Sequence, residues 1–363
     1  MSNIPVQDQM MMMRALQLAR LGLNGTSPNP RVGCVLLSED GRIVGEGYHC
    51  KAGSAHAEIA ALVAAGAQAR AATAYVTLEP CCHHGKTGPC TEALIAAGVK
   101  RVVYAMEDPN PQVAGRGLEA LQAAGIEIVG PVEEQAAWAL NPGFIKRMRT
   151  GLPFIRCKMA MSLDGRTAMA SGESKWITGP SARQDVQTLR ARSCAIVTGV
   201  ESVIHDDPSL TVRLGDNDRQ PLRVIVDTHG RCPMQADILD QPGQTVIACS
   251  NMHAPSEADS RKYWRLPERN GRIDLYALTR RLGQEGCNEV LIETGATLAG
   301  AFVSAGLVDE LIVYMAGKLM GRNARPLFDL PIDKMRGALT LSIQEVRAVG
   351  ADWRITAVPD PET

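Results

Sequence analysis

The chain is expected to fold as two consecutive α/β domains, on three observations. Helix-spaced apolar residues alternate with short apolar runs along most of its 363 residues, the pattern of helices packed on a sheet. One stretch of helix breakers and basic residues, Asn141-Pro142-Gly143 through Thr150-Gly151-Leu152-Pro153, separates the two series. The length suits two domains of roughly 100–200 residues each. The boundary is placed at 146/147, giving domains of residues 1–146 and 147–363.

In the first half, Gln7 to Leu23 reads as a helix brought to its end by glycine, beginning with Gly22. Its run Met10-Met11-Met12-Met13 is read as core filling. Val32 to Leu37 and Arg42 to Gly47 are short strands joined at Asp40-Gly41, a hairpin signal. Ile59, Leu62 and Val63 keep helical spacing until Gly66. Ala74 to Leu78 is a strand, Thr91 to Ala97 a helix closed by Gly98, and Val102 to Ala105 a further strand. The result is a three-layer α/β sandwich. In the second half, Phe154 to Met159 restarts the pattern and Leu163-Asp164-Gly165 makes a turn. Further strands are expected at Ala195–Thr198, Leu222–Asp227, Thr245–Cys249, Glu289–Glu293 and Leu311–Met315, with helices between most of them.

Composition narrows the function classes. Apolar residues make up 45% of the chain and the formal net charge is −1. Each half can therefore bury a core, and a large nucleic-acid surface, which needs a basic excess, is disfavoured. Neither a secretory leader pattern nor a run of about 18 uncharged apolar residues is evident. A cytoplasmic protein without a membrane partner is expected. Of the ten cysteines, only Cys81, Cys82 and Cys90 cluster, which suggests free buried thiols plus one metal-binding or reactive group.

That cluster belongs to a larger constellation. His56-Ala57-Glu58 opens the helix before the strand at Ala74, Glu79-Pro80-Cys81 follows that strand, and Pro89-Cys90 opens the next helix. One imidazole and two thiolates suit a catalytic zinc that keeps a fourth position for water, and helix N-termini favour the thiolate. Glu58, two residues from His56, is badly placed to ligate the same ion but well placed to shuttle a proton. His-x-Glu followed by Pro-Cys-x-x-Cys is the pattern of zinc-dependent base deaminases. Here eight residues, not two, separate the cysteines, and the longer loop bears on substrate choice. A structural zinc closed by Cys82, His83 or His84 is the alternative, as is a helix-capping His56 beside ordinary buried thiols.

The residues around this constellation resemble the riboflavin-biosynthesis bifunctional deaminase–reductase family. The resemblance is carried by Ser27-Pro28-Asn29-Pro30-Arg31-Val32-Gly33, Gly47-Tyr48-His49, and the run from Thr77 to Cys90. Asp108-Pro109-Asn110-Pro111-Gln112-Val113-Ala114-Gly115-Arg116-Gly117 extends it, and it continues across the second half. It implies a cytidine-deaminase-like α/β/α sandwich in front and a dihydrofolate-reductase-like α/β domain behind. It also implies that His56, Cys81 and Cys90 hold one Zn2+ and that Glu58 is the catalytic proton shuttle. Asn29, His49, His83 and Lys86 then fall where the family shapes its pyrimidine and phosphate pocket. Cys82 stands where such proteins usually carry serine, and Gly88 where proline is common.

In the second half no Gly-x-Gly-x-x-Gly follows a strand, so an ordinary Rossmann site is not supported. The run Val290 to Gly300, an apolar strand entering a small-residue turn and a helix, could hold a phosphate at the helix start. Lys158-Met159-Ala160-Met161-Ser162-Leu163-Asp164-Gly165-Arg166, Trp176-Ile177-Thr178 and Asp206 to Arg213 carry the same family resemblance. It implies NADPH as cofactor, with contacts from Ala160, Trp176, Ser202, Asp206 and Thr228. Further contacts are implied along Gly295, Ala296, Thr297, Leu298, Ala299, Gly300 and Ala301. Substrate contacts are implied at Ser174, Arg190, Leu210, Arg213 and Glu293, with Lys158 positioning the ribose or assisting proton transfer. Arg190 and Arg213 suit phosphate because guanidinium binds it in a forked geometry; an ion pair or solvated charge is the plainer reading. Thr294 stands where relatives often have glycine.

The implied activity joins a zinc hydrolase to an NADP-dependent oxidoreductase acting on small phosphoribosyl pyrimidines, in a homo-oligomer. The competing reading is a nucleoside or nucleic-acid deaminase with an appended ligand-binding domain.

Overall fold

The computed structural model, described for residues 4–83, 88–111, 113–215, 219–253 and 261–360, divides into two compact units, Met1–Gly151 and Leu152–Thr363. Position 146/147 lies inside a helix, Pro142–Thr150, that ends at Gly151 in the left-handed region (φ 74°). The basic residues that suggested a linker, Arg147 and Arg149, occupy the last turn of this helix, where the helix dipole favours cations.

The first unit runs α1 (Val6–Leu21), β1 (Gly33–Leu37), β2 (Ile43–Tyr48), α2 (Ala57–Ala65), β3 (Thr73–Val76), α3 (Cys90–Ala96), β4 (Arg101–Tyr104), α4 (Arg116–Ala123), β5 (Glu127–Val129), α5 (Glu134–Leu140) and α6 (Pro142–Thr150). Its five-stranded sheet has the order β2-β1-β3-β4-β5. β1 is antiparallel to β2 and β3, while β3, β4 and β5 are parallel. β1 is buried along its whole length, as a central strand covered on both faces should be. Of the four consecutive methionines, Met12 is fully buried whereas Met10 and Met13 are exposed. The run therefore straddles a helix edge, and only part of it fills core.

Two contacts lock the helices to this sheet. The buried Asp8 of α1 accepts hydrogen bonds from Arg101 Nη1 and Nη2 of β4, both at 2.8 Å, and from the Tyr75 hydroxyl of β3 at 2.9 Å. The Arg101 guanidinium holds the Asp8 carboxyl below the usual carboxylate range. On the other element, a Cβ at Gly47 would stand 2.4 Å from the Ala57 carbonyl oxygen. Only glycine lets the first turn of α2 lie directly on β2, and that turn carries Glu58.

The second unit runs β6 (Phe154–Ser162), β7 (Arg166–Ala168), α7 (Pro180–Arg192), β8 (Ala195–Gly199), α8 (Val200–Asp206), β9 (Leu222–Val226), α9 (Asp237–Asp240), β10 (Thr245–Ser250) and β11 (Tyr263–Leu266). It continues with β12 (Glu268–Arg269), β13 (Arg272–Ile273), α10 (Leu275–Gln284), β14 (Glu289–Glu293), α11 (Ala296–Ser304), β15 (Glu310–Ala316), β16 (Arg325–Pro326), β17 (Leu341–Val349) and β18 (Asp352–Pro359). Nine of these strands form one sheet, β11-β10-β9-β8-β14-β6-β15-β18-β17. It is parallel from β11 to β15 and antiparallel across β18 and β17. Near the strand starts, the buried Arg156 pairs with Glu289 and with Glu310, and Arg192 also reaches Glu289. The opposite, C-terminal strand ends are left to line a cavity.

Replacing Asp8 with asparagine leaves Arg101 without its buried counter-charge and should cost about 3 kcal/mol, read as a lower urea midpoint for the first unit. The sign of the pH effect follows from the lowered carboxyl. The wild-type contribution is complete above the ordinary aspartate value of about 3.9 and is lost as pH falls through the lower folded value. The Asp8→Asn protein should lack that acid limb.

Candidate active sites

His56 is the N-cap residue of α2, and Cys90 is the first residue of α3. Cys81 lies just beyond β3. These three turns bring His56 Nδ1 within 3.3 Å of Cys90 Sγ and 3.6 Å of Cys81 Sγ. The Cys90 amide donates to Cys81 Sγ at 3.4 Å. All three candidate ligand atoms lie within 4.8 Å of one another. A tetrahedral zinc with Zn–N near 2.0 Å and Zn–S near 2.3 Å requires N···S separations of about 3.6 Å, so the donor set fits the ion in chemistry and spacing. Hydrogen bonds from the Cys90 thiol, the His56 ring and the Cys90 amide stabilise the Cys81 thiolate and hold its pKa well below the usual thiol range.

Glu58 is buried beside this group, 4% exposed, and burial pushes its carboxyl up to about 7. No other His, Cys, Asp or Glu joins the three ligands among the described residues. Cys82 is half-buried and His83 exposed; His84 and Lys86 fall outside the described residues. The described set thus matches three protein ligands with a fourth position open. His49, also buried, donates or accepts through fixed partners: Nε2 lies 3.0 Å from Asn29 Nδ2, and Nδ1 3.0 Å from the Ala55 carbonyl. The carbonyl can only accept and the amide nitrogen only donate, so the ring is neutral with its proton on Nδ1. Burial likewise lowers the His49 pKa. Its ring meets that of His56 edge-on, with centroids 5.4 Å apart.

Sequence reasoning did not anticipate the role of Glu79. Its buried carboxylate accepts from the backbone amides of Asp108 (3.1 Å), Gly115 (2.9 Å) and Gly117 (2.8 Å). It thereby fastens that loop beneath the Cys81 turn. Asp108, on the same loop, is pushed up to about 6 by burial.

In the second unit one cavity of about 1710 Å³ opens at the C-terminal strand ends. A single ligand pocket measures roughly 300–1,000 Å³, so this one has room for two molecules side by side. It is lined by every residue expected to contact cofactor or substrate in this half except Ala299 and Gly300. Those two point elsewhere. Ala299 is wholly buried in the core, and a Cβ at Gly300 would stand 2.2 Å from the Asp329 carbonyl oxygen. Helical geometry accounts for this, because the face of α11 that lines the cavity carries its first turn, Ala301 and Ser304. That first turn carries no side-chain cap.

Arg190 does not stand free for a phosphate. Its Nε and Nη2 donate to the Glu293 carboxylate at 2.7 and 2.9 Å, and Nη1 donates to the Thr211 carbonyl. The plainer ion-pair reading therefore describes Arg190. Arg213 instead donates from Nη1 to the hydroxyls of Ser209 and Thr211, both at 3.0 Å. Burial lowers the pKa of Lys158, and Glu293 opposes that shift. Ser174 donates to Asp206 at 2.8 Å. Leu210 holds a left-handed backbone, φ 48°, which is costly for a bulky side chain. The Thr294 hydroxyl accepts from the Gly199 amide at 3.1 Å, so it ties β14 to β8.

The same cavity is lined by His229, Arg231, Arg269, Asn270 and Arg272, none of them singled out beforehand. The available signal was Asn270-Gly271, a tight-hairpin pair flanked by arginines.

Comparison with known proteins finds relatives of both units. A family model of the cytidine and deoxycytidylate deaminase zinc-binding region matches residues 5–106, and one of the RibD C-terminal domain matches residues 153–355. The riboflavin biosynthesis protein RibD of Escherichia coli (strain K12) is 51% identical over 360 residues, covering 96% of this chain and 98% of that protein. RibD of Haemophilus influenzae is 47% identical over 367 residues, covering 97% and 98%. The structure of Acinetobacter baumannii RibD superposes with a TM-score of 0.91 at 46% identity, over 98% of this chain and 99% of that one. A Thermotoga maritima protein described as a diaminohydroxyphosphoribosylaminopyrimidine deaminase and 5-amino-6-(5-phosphoribosylamino)uracil reductase gives 0.86 at 31% identity, with the same coverage. The first unit is cytidine-deaminase-like and the second dihydrofolate-reductase-like. Two sites of different chemistry on one chain, matched end to end by these relatives, place the protein in the RibD family of bifunctional deaminase–reductases of riboflavin biosynthesis.

Proposed function

We propose that the first unit hydrolytically deaminates 2,5-diamino-6-ribosylamino-4(3H)-pyrimidinone 5′-phosphate and that the second uses NADPH to reduce the ribosyl group of 5-amino-6-(5-phosphoribosylamino)uracil to ribityl. The observation that carries this reading is the meeting of His56, Cys81 and Cys90 beside a buried Glu58. Those three side chains would hold one zinc, which supplies the Lewis acidity that makes water nucleophilic near neutral pH. Glu58, poised by burial near neutrality, takes a proton from the attacking water and delivers protons to the ring nitrogen and the departing amine. Asn29 and the neutral His49 form one wall of the pyrimidine pocket, and Glu79 keeps the Asp108–Gly117 loop against it.

In the second unit NADPH would supply the hydride. Arg213 is the phosphate partner, Arg190 holds Thr211 beside it, and Glu293 orients Arg190. Lys158, partly desolvated and close to Glu293, can donate a proton as the sugar opens. The first turn of α11 presents amides to the cofactor's phosphates. The rival nucleoside or nucleic-acid deaminase gives way to this reading, since the similarity to RibD proteins runs through both units. The expected homo-oligomer is supported by β17, an edge strand of nine residues whose Leu341, Ile343 and Val346 are exposed. Such an edge invites pairing with another chain. No helix among the described residues is long and apolar enough to cross a membrane.

Glu58→Gln should retain zinc by elemental analysis yet deaminate at least about 100-fold more slowly. The reductase step, supplied directly with the aminouracil, should be unchanged; wild-type deamination by this variant would remove the proton shuttle. Fluorescence titration of the full chain should show saturable NADPH binding, and its absence would remove the cofactor assignment. Light scattering should give a mass above that of one chain.

A further inference from the structure

Resting on the NADPH reading above, the geometry points to Arg269 and Arg272 as a clamp for the cofactor's 2′-phosphate, the group that separates NADPH from NADH. The two arginines stand directly opposite each other in the β12–β13 ladder. Asn270 and Gly271 between them both have positive φ, 54° and 70°, the form of a two-residue type I′ hairpin. That turn sends both guanidinium side chains to one side of the ladder, and both line the cavity. Like charges facing each other across a ladder are destabilising, so the arrangement calls for an anion.

Neither arginine forms an ion pair among the described residues. Asp274, the next acidic residue along, is committed to capping α10, accepting from the Tyr276 and Ala277 amides. Glu268 is opposite Ile273 and, by strand alternation, faces the other side. Arg231, another cation on the cavity wall, is already paired with Glu201 at 2.6 Å. The arginine pair thus stands without a counter-ion among the described residues.

Its position along the sheet identifies the ligand group. Lys158, midway along β6, lies opposite Glu293 at the end of β14, and the Arg213 charge acts on that Glu293 carboxyl. The hairpin is fastened to the end of β9, where the Ile273 amide donates to Thr228 Oγ1 at 3.3 Å. From β6 to β9 the sheet steps through β14 and β8, about 14 Å at the usual strand spacing. A dinucleotide laid along these strand ends, with its nicotinamide beside Lys158 and its pyrophosphate at α11, extends its adenosine toward the hairpin. A phosphomonoester on that ribose meets two guanidinium groups, which bind phosphate through paired N–H donors.

The test is the affinity of Arg269→Ala, Arg272→Ala and the double variant for NADPH, NADH and adenosine 2′,5′-bisphosphate, by fluorescence titration and calorimetry on the full chain. Each alanine should weaken NADPH and the bisphosphate about tenfold, while NADH changes less than about twofold, so that the double variant loses its preference. Arg272→Lys, which keeps the charge but loses the forked donors, should fall between wild type and Arg272→Ala for NADPH and guards against a folding defect. Equal weakening of NADPH and NADH, or a preference that survives the double substitution, would overturn the clamp. Wild-type protein that bound neither nucleotide would remove the cofactor reading and the clamp with it.

Discussion

Two sulfurs and an imidazole nitrogen held within 4.8 Å of one another are hard to keep together without a cation. Both thiols cannot ionise there unaided, because adjacent thiolates repel in a partly dry site. The fold meets this constraint with backbone. Cys90 opens a helix and offers its amide to Cys81, while His56 opens another helix that glycine allows to lie flat on β2. The three donors come from turns on separate elements, so their convergence depends on the whole first unit being folded. Glu79 extends the same logic one step outward by gathering three amides into one carboxylate. Such charge-assisted bonds are stronger than neutral ones, and they make the pocket loop part of the scaffold.

The second unit uses its sheet differently. Ionic contacts around Arg156, Glu289 and Glu310 close one end of the strands, and ligands are received at the other. In open parallel sheets that carboxyl end is the usual place for binding, even without a glycine fingerprint. Arg190 shows why a charged side chain in a cavity is not automatically a ligand contact. Its bond to Glu293 commits the fork to the protein itself and fixes the wall on which Arg213 and Thr211 stand.

Much of this was legible in the sequence. The strand and helix starts that carry His56, Cys81 and Cys90 are local features, marked by apolar periodicity and by proline, and they formed where expected. Glu79 could not be read in the same way, since its partners lie 29, 36 and 38 residues further along the chain. Ala299 and Gly300 were included because a motif was carried through a helix without regard to which face each residue presents. β17 and β18 were missed because the first is largely exposed, the second only partly buried, and both interrupt their apolar residues with polar ones. Arg269 and Arg272 escaped notice because an arginine in a turn usually signifies nothing more than solvent.

Leu210 has a consequence for the shape of such a cavity. A leucine held at φ 48° costs conformational energy of order 1–3 kcal/mol. Its side chain is nonetheless buried in the core of the second unit and lines the cavity, and burying a leucine contributes a comparable amount. Glycine there would relax the backbone but empty the space the side chain fills, so the same residue that strains the chain also holds core and cavity wall together.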